Sequence, residues 1–351
     1  MNKNNRILIL NISTDSRNTS LGFAISWLNM FAENYYQVDV ITLKKGDTTN
    51  LNKNVNVYEV VKDNDQLRKH NNLNELISKL TKENNYDYCL SHMSSIMIVS
   101  TFRILRKRKL KSILWYTHIG PNNIKEKLIL LFATLFAEKI ITASENSFPL
   151  KRKKVNVIGH AIDYELFYKN VDSFNKKDFA IISRLSKSKN IDQAIEGFLS
   201  SNISKERVIF IIGGPLTKED YEYEDYLIQK YNHNKNVTFV GSIPHLKLIN
   251  KLETVGFHIN NTPNGFYDKS FLETSIHGLI NFYQNLDYDK NIPEEYIESL
   301  RFDGSSVDLA KKISNLTKFS ESDYLKIIKH SQKEIENESI NSLYDRIARV
   351  I

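Results

Sequence analysis

Apolar residues fall along this chain in short runs separated by longer stretches of helical spacing. RILILN (Arg6 to Asn11) is a buried-type strand. The polar loop ISTDSRNTS follows it, and in LGFAISWLNMFAE the apolar residues return every three or four positions. This first strand, loop and helix is then repeated. VDVITL, VNVYEV, DYCLS and SILWYTH read as strands, with helical stretches at Leu67 to Leu80, Ile96 to Arg108 and Ile124 to Ala137, and KIITAS and VNVIGH close the first half. Near VIGHAIDYELF (Val157 to Phe167) the character changes and a second alternation begins. It runs through DFAIISR, NIDQAIEGFLS, RVIFIIGG, a Tyr-rich acidic helix, NVTFVGS, LKLINKLE and VGFHIN (Val255 to Asn260), and the tail from Leu309 reads as consecutive amphipathic helices. Strands alternating with helices predict two parallel, doubly wound α/β sheets. The length of 351 residues suits two domains that face each other across a cleft.

Composition narrows the class. With 41% hydrophobic and 25% charged residues, and no apolar run near the roughly 18 residues of a spanning helix, the chain reads as globular and not membrane-embedded. Its one cysteine, Cys89, excludes an intrachain disulfide and a thiolate zinc cluster. The start MNKNNRILIL enters a strand without a signal-peptide core, so a cytoplasmic protein is expected. The net charge of +7 is densest at Arg103, Arg106, Lys107, Arg108, Lys109 and Lys111. Such a cluster suits an anionic partner, including an anionic membrane surface at which the protein would be peripheral. A solvated helix end, its cations complementing the dipole, would look the same. No zinc-finger, homeodomain or RNP pattern accompanies the cluster, so no nucleic acid is expected.

Candidate chemistry gathers where strands end. In HINNTPNGFYDKSFLETSIHG a strand runs into loop formers and then a helix from Ser270 to His277, with Gly265 allowing close backbone approach and Glu273 about one turn into the helix. A ligand hydroxyl could bond to that carboxylate; an ordinary capping glutamate is the alternative. In SRLSKSKN, Arg184 and Lys189 flank a strand-to-helix loop, where a guanidinium and an ammonium can clamp a diphosphate. Gly213, in GGP, marks another close turn, and His118 ends SILWYTH at a strand edge, where an imidazole could bond a hydroxyl or move a proton. Neither half has G-x-G-x-x-G after its first strand, which argues against a nicotinamide or flavin cofactor. Two D-x-D triplets, Asp63-Asn64-Asp65 and Asp287-Tyr288-Asp289, read as surface loops, and no metal site is expected.

In order, VIGHAIDYELF, SRLSKSKNIDQAIEGF, IIGGP, NVTFVGS and GFYDKSFLETSIHG resemble the retaining glycosyltransferases of family 4, also called group 1, which have the GT-B fold. DSRNTSLGFAISW is similar to the glycine loop of that family, and ILWYTHIG with KIITASENSF to its N-domain pattern. The resemblance implies two Rossmann-like domains, at 1–157 on the acceptor side and 158–335 for the nucleotide sugar, with a C-terminal helix at 336–351 packing back toward the first. It implies retaining, metal-independent transfer of a sugar from a nucleotide diphosphate sugar, with no further cofactor, to a saccharide or lipid-linked acceptor in surface polysaccharide or glycolipid synthesis. Arg184 and Lys189 match the diphosphate pair, and Glu273 matches the second carboxylate of E-x7-E. Gly265 stands where the first carboxylate would be, with Asp268 or the backbone amides of Phe266 and Tyr267 as substitutes. Lys269, Gly213 and Ser242 complete the donor-side candidates, while Gly22 and Phe23 are acceptor-side and Ala161 replaces a glycine. A nucleotide-sugar 2-epimerase of the same architecture and a noncatalytic nucleotide-sugar-binding subunit are the alternatives.

Overall fold

A computed structural model describes residues 5–17, 22–60, 66–121 and 123–351 of the chain. The triplet Asp63-Asn64-Asp65 and residues 18–21 of the glycine-loop match lie outside the described residues. The chain divides into two compact units, residues 1–161 with 340–351, and residues 162–339.

In the first unit the strands are β1 (Arg6–Thr14), β2 (Gln37–Lys45), β3 (Val55–Glu59), β4 (Tyr88–His92), β5 (Lys111–Trp115), β6 (Lys139–Thr142) and β7 (Val155–Val157). Between them run α1 (Ala24–Asn34), α2 (Gln66–Glu83), α3 (Ser95–Lys107) and α4 (Ile124–Phe136). The sheet order is β3-β2-β1-β4-β5-β6-β7, every pair parallel. Ile7 through Leu10 are fully buried because helices cover both faces of the sheet, so the strand is a continuous apolar run with no alternation. On one face Trp27, Leu28 and Phe31 of α1 meet Ile7, Ile9, Val38 and Val40.

The second unit begins at α5 (Tyr164–Phe167) and continues through β8 (Asp178–Ile182), α6 (Ile191–Ser200), β9 (Ile209–Ile212), α7 (Lys218–Tyr231), β10 (Val237–Gly241), α8 (His245–Leu252), β11 (Val255–Asn260), α9 (Lys269–Ile276) and β12 (Ile280–Tyr283). Its sheet is β10-β9-β8-β11-β12, again all parallel. The closing helices are α10 (Glu294–Leu300), α11 (Ser306–Ser314), α12 (Glu321–Glu336) and α13 (Ile340–Ala348). Helix α13 returns to the first unit, where Leu343 and Ile347 join the α1 core cluster and Arg346 donates to the His160 carbonyl at 2.7 Å.

In both sheets the strand order reverses at one place, between β1 and β4 and between β8 and β11, while every strand stays parallel. Outside the carboxyl ends of the strands at such a point the flanking loops diverge and leave a crevice for a ligand. The candidate residues of the second unit lie in those loops.

Candidate functional site

Five loops, one after each strand, leave the carboxyl edge of the second sheet. Their backbones interlock. Ser183 N–H donates to the Ile212 carbonyl at 3.1 Å, Leu185 N–H to that of Gly214 at 3.1 Å, and Gly213 N–H to that of Gly241 at 3.1 Å. Gly213 is required at its position. Its φ is +145°, and a Cβ there would stand 1.8 Å from the Ser183 carbonyl oxygen. Ser242, after β10, lies over Gly214, whose Cβ would meet the Ser242 hydroxyl oxygen at 2.3 Å. Ser183, Gly213, Gly214 and Ser242 therefore form one continuous backbone shelf beside Arg184.

Across the switch point, Lys189 reaches Asp268. The lysine sits in a short 3-10 turn, Lys187–Lys189, just before α6, and Asp268 is the N-cap of α9. The Lys189 ammonium donates to both carboxylate oxygens, at 2.6 and 2.7 Å, and the Thr262 hydroxyl donates to one of them at 2.7 Å. Burial alone would push the Asp268 carboxyl up, but the Lys189 charge and these hydrogen bonds outweigh it and hold the group below the usual carboxylate range. The ammonium also lies 5.3 Å from the centroid of the Phe266 ring. The two loops are braced by a reciprocal amide pair. Asn190 Nδ2 donates to the Asn261 carbonyl at 3.2 Å, and Asn261 Nδ2 to the Asn190 carbonyl at 3.2 Å. Asn190 holds a left-handed conformation, φ 48°, which asparagine tolerates better than most residues.

Arg184 is held more loosely. Its side chain is 43% exposed, and Nε stands 3.6 Å from Asp220 Oδ2. Asp220 in turn forms the capping box of α7 with Thr217. The guanidinium is thus anchored at a helix start while part of the side chain faces solvent beside the shelf. Glu273 lies about one turn into α9 and is buried. Lys269, in the first turn of that helix, is pulled down to about 8 by burial, which outweighs the support of Glu273. Gly265, with φ 90°, makes the turn that carries the chain into Phe266.

Phe266, Tyr267 and the Asp287-Tyr288-Asp289 triplet each have a defined place around this loop. The Phe266 amide donates to the Pro263 carbonyl at 3.3 Å, closing the Gly265 turn, so it is committed within the loop. The Tyr267 ring is buried, and its hydroxyl donates to Glu338 Oε1 at 2.7 Å, so this side chain supports the loop from beneath. Asp287-Tyr288-Asp289 is no surface loop. Tyr288 is fully buried in a 3-10 turn, stacks on Phe271 at 3.8 Å, and its hydroxyl accepts the Asp268 N–H at 2.6 Å. Asp289 pairs with Arg301 and accepts the Tyr283 hydroxyl. Among the described residues no three His, Cys, Asp or Glu side chains converge to hold a metal ion.

In the first unit β5 stops at Trp115, and His118 lies beyond it in an exposed bend, its N–H donating to the Ser147 carbonyl at 2.7 Å. Gly22 begins the turn into α1, with its carbonyl accepting the Ile25 N–H at 3.2 Å, and Phe23 is the N-cap, its ring edge-on to His92 at 6.0 Å. His118 thus belongs to the first unit and Arg184, Lys189, Asp268 and Glu273 to the second. Thr262, Asn190, Asn261 and Tyr288 escaped the sequence reading. Each acts by position, and only the asparagines carried a local signal, their tolerance of loop backbone.

A family model described as Glycosyl transferases group 1 matches residues 165–255. That span contains Arg184, Lys189, Gly213 and Ser242 and ends before Gly265, Asp268 and Glu273. No curated protein sequence matches the chain. Among solved structures, Alr3699/HepE from Anabaena in complex with UDP is similar over 98% of each chain, with TM-score 0.75 and 13% identity. Sucrose-phosphate synthase from Thermosynechococcus elongatus is similar over 99% of this chain and 98% of its own, with TM-score 0.76 and 12% identity. UDP-GlcNAc 2-epimerase from Methanocaldococcus jannaschii aligns over 98% of this chain and 99% of its own, with TM-score 0.58 and 11% identity. The chain has the GT-B fold of two Rossmann-like units, and its residues 165–255 carry the sequence pattern of the group 1 glycosyl transferases.

Proposed function

We propose that the chain is a retaining glycosyltransferase that takes a sugar from a nucleotide diphosphate sugar bound at the carboxyl edge of the second sheet. The observation that carries this reading is the set of loops at the carboxyl edge of the second sheet, with Arg184 beside a shelf of backbone at Gly213 and Ser242 and Lys189 held on Asp268 at the β8/β11 switch point. In such a transfer the bond from the anomeric carbon to the phosphate oxygen breaks and negative charge grows on the departing diphosphate. Cations fixed beforehand lower that barrier without rearranging as it is crossed. Arg184, tethered at one edge and otherwise open, suits a group that closes on an incoming phosphate, while Lys189 waits in place on Asp268. Glu273 takes the nucleotide ribose, and Asp268 stands beside the donor sugar in place of a carboxylate at Gly265. The acceptor is a saccharide or lipid-linked saccharide of surface polysaccharide or glycolipid synthesis, with His118 and the Gly22 to Phe23 turn on the acceptor side, and the enzyme works in the cytoplasm without a metal.

The UDP complex of Alr3699/HepE, together with the sequence match, supports a nucleotide sugar as donor. Calorimetry with UDP-, GDP- and ADP-sugars, followed by product analysis with an acceptor panel, tests the reading. Binding of one donor and a product that keeps the anomeric configuration are expected. A free epimer formed without acceptor would convert the reading to an epimerase, and binding with no product to a noncatalytic subunit.

A further inference from the structure

Helix α4 is apolar on two sides. Leu130 and Ala133 face inward and join Ile98, Leu114, Ile140 and Phe148 in a core cluster. On the other side Ile124 is 77% exposed, Leu128 49%, Phe132 44% and Leu135 57%. At about 100° per residue those four positions fall within an arc of roughly 80°, opposite the buried face, so they form one stripe along the helix. Exposed single apolar residues are ordinary, but four large ones aligned on one helix mark a contact surface.

Five of the six basic residues lie on or just after the neighbouring helix α3, the sixth, Lys111 in β5, pairing with Glu138 at 3.9 Å, and the cluster is joined to the stripe. Phe102 of α3 stacks on Phe136 of α4 at 4.0 Å, and Phe136 on Phe132 at 6.0 Å. The guanidinium of Arg106 lies 5.9 Å from the centroid of the Phe102 ring. Cation and stripe are therefore connected by three touching rings. Arg103, Arg106, Lys107, Arg108 and Lys109 are all exposed, and no ion pair among the described residues involves any of them. Lys125 and Lys127, also exposed, flank the stripe on either side. As a solvated helix end the basic residues would need no apolar neighbour, and as buried core α4 would not turn its large residues outward.

We infer that the outer face of α4 and the carboxyl end of α3 together form a docking surface for an anionic lipid bilayer. The apolar stripe enters the headgroup and upper acyl region, the lysines beside it extend to the headgroups, and the α3 cluster faces the lipid charge. The charge selects this occupant, since an uncharged apolar partner would leave five exposed cations unmatched. Among the described residues no helix is long and apolar enough to cross a membrane, so attachment is reversible and lies in the plane of the surface. This inference stands apart from sugar transfer and uses none of the donor-site residues.

Cosedimentation with vesicles of phosphatidylglycerol and phosphatidylcholine, and with pure phosphatidylcholine, tests it. Wild type should pellet with the anionic vesicles at low salt and not with neutral ones or at high salt. Each basic residue near an anionic surface is worth roughly fivefold in partitioning. Changing Arg106, Lys107, Arg108 and Lys109 together to serine should therefore weaken binding by about 10² or more. Leu128→Ser with Phe132→Ser should weaken it by about 10-fold or more, because both side chains leave water on docking. All six positions are on the surface, so both variants should keep wild-type circular dichroism and melting. Equal pelleting by all three proteins, or none by wild type, overturns the inference. So does a wild type that dimerises without lipid in analytical ultracentrifugation while Leu128→Ser/Phe132→Ser stays monomeric, since a second copy would then cover the stripe. Donor binding by calorimetry, unchanged in both variants, separates a failed membrane surface from a failed donor site.

Discussion

Replacing Lys189 by alanine should have two effects with opposite pH signatures. The ion pair with Asp268 is largely out of water, with side-chain exposures of 12% and 20%. Removing one partner of a buried pair costs about 3–5 kcal/mol, and the remaining water contact here reduces that to about 2–3 kcal/mol. For a domain of this size about 1 kcal/mol moves the midpoint by roughly 2–4 °C, so the second unit should melt roughly 5–10 °C lower at pH 7. Without Lys189, burial pushes the Asp268 carboxyl upward against only the remaining hydrogen bonds of Thr262 and Asn260. The wild-type carboxylate adds stability above the unfolded value of about 3.9, and that contribution is lost as pH falls through its depressed folded pKa; in the variant acid protonates Asp268 and relieves the buried charge. The two melting curves should therefore draw together as pH falls and meet only below the unfolded value of about 3.9, and Lys189→Ala/Asp268→Asn should recover at least half the loss at pH 7. In calorimetry with UDP, Lys189→Ala should bind about 10-fold or more weakly, whereas Asp268→Asn, which releases the ammonium, should bind severalfold more tightly. A Lys189→Ala protein that melts with wild type at pH 7 would refute the energetic argument. Unchanged UDP affinity in both variants would refute the clamp.

Arg184→Ala should lower transfer by roughly 10²-fold or more while leaving the midpoint within about 1 °C, because the side chain is exposed and loosely tethered; activity assays that survive EDTA would agree, and loss restored by manganese would return a metal to the mechanism. Gly213→Ala should destabilise by about 3 kcal/mol or more, since its Cβ would meet the Ser183 carbonyl oxygen at 1.8 Å in a positive-φ backbone; Gly214→Ala should do less because the Ser242 hydroxyl can rotate aside, and equal midpoints for the two would argue against the shelf. Acid should weaken the fold before most carboxylates titrate. Burial lowers His258 and His277 to about 4, the Lys176 charge adding to it at His277, while unfolding returns both to about 6.5, so as pH falls from 6.5 toward 4 the unfolded chain binds protons that the folded chain does not and about 1.4 kcal/mol is lost per pH unit and per histidine. Urea unfolding at pH 7, 6 and 5 measures that slope, which His258→Gln should roughly halve.

What could be read from sequence was local or periodic. The run VGFHIN is β11 at the bounds read for it, because a strand buried on both faces leaves an uninterrupted apolar signature. SILWYTH was read three residues too long, since Tyr116, Thr117 and His118 favour extended backbone although pairing with β4 ends at Trp115. Lys189 and Asp268 were each legible as loop residues, but their pairing is not, because it depends on β8 lying beside β11 and on nothing near either residue. Tyr288 was hidden by its two aspartates: polar neighbours gave the triplet the composition of a surface loop, and only the stacked Phe271 and the Asp268 amide reveal a supporting role. For α4 the sequence carried an excess of apolar residues without saying which side was covered.

The two units also separate what the fold dictates from what the side chains add. Both have the same switch point, between β1 and β4 and between β8 and β11, so the topology alone offers two crevices. In the first unit Asn11, just past the last β1 residue paired with β4, and His92, the end of β4, stand on either side of it, buried and bonded to each other at 3.2 Å. The His92 ring is packed between Trp27 and Trp115, at 5.0 and 5.2 Å. Aromatic faces and an amide whose N–H groups are already given to Ser13 and Thr14 offer no charge to a diphosphate. In the second unit the same place holds the Lys189 and Asp268 pair, and Arg184 with the Gly213 shelf lies along the same sheet edge. Equal topology with unequal chemistry is the reason the proposed donor site is assigned to the second unit by its residues and not by its fold, and on that proposal substitutions at Asn11 or His92 should leave UDP affinity unchanged while those at Lys189 alter it.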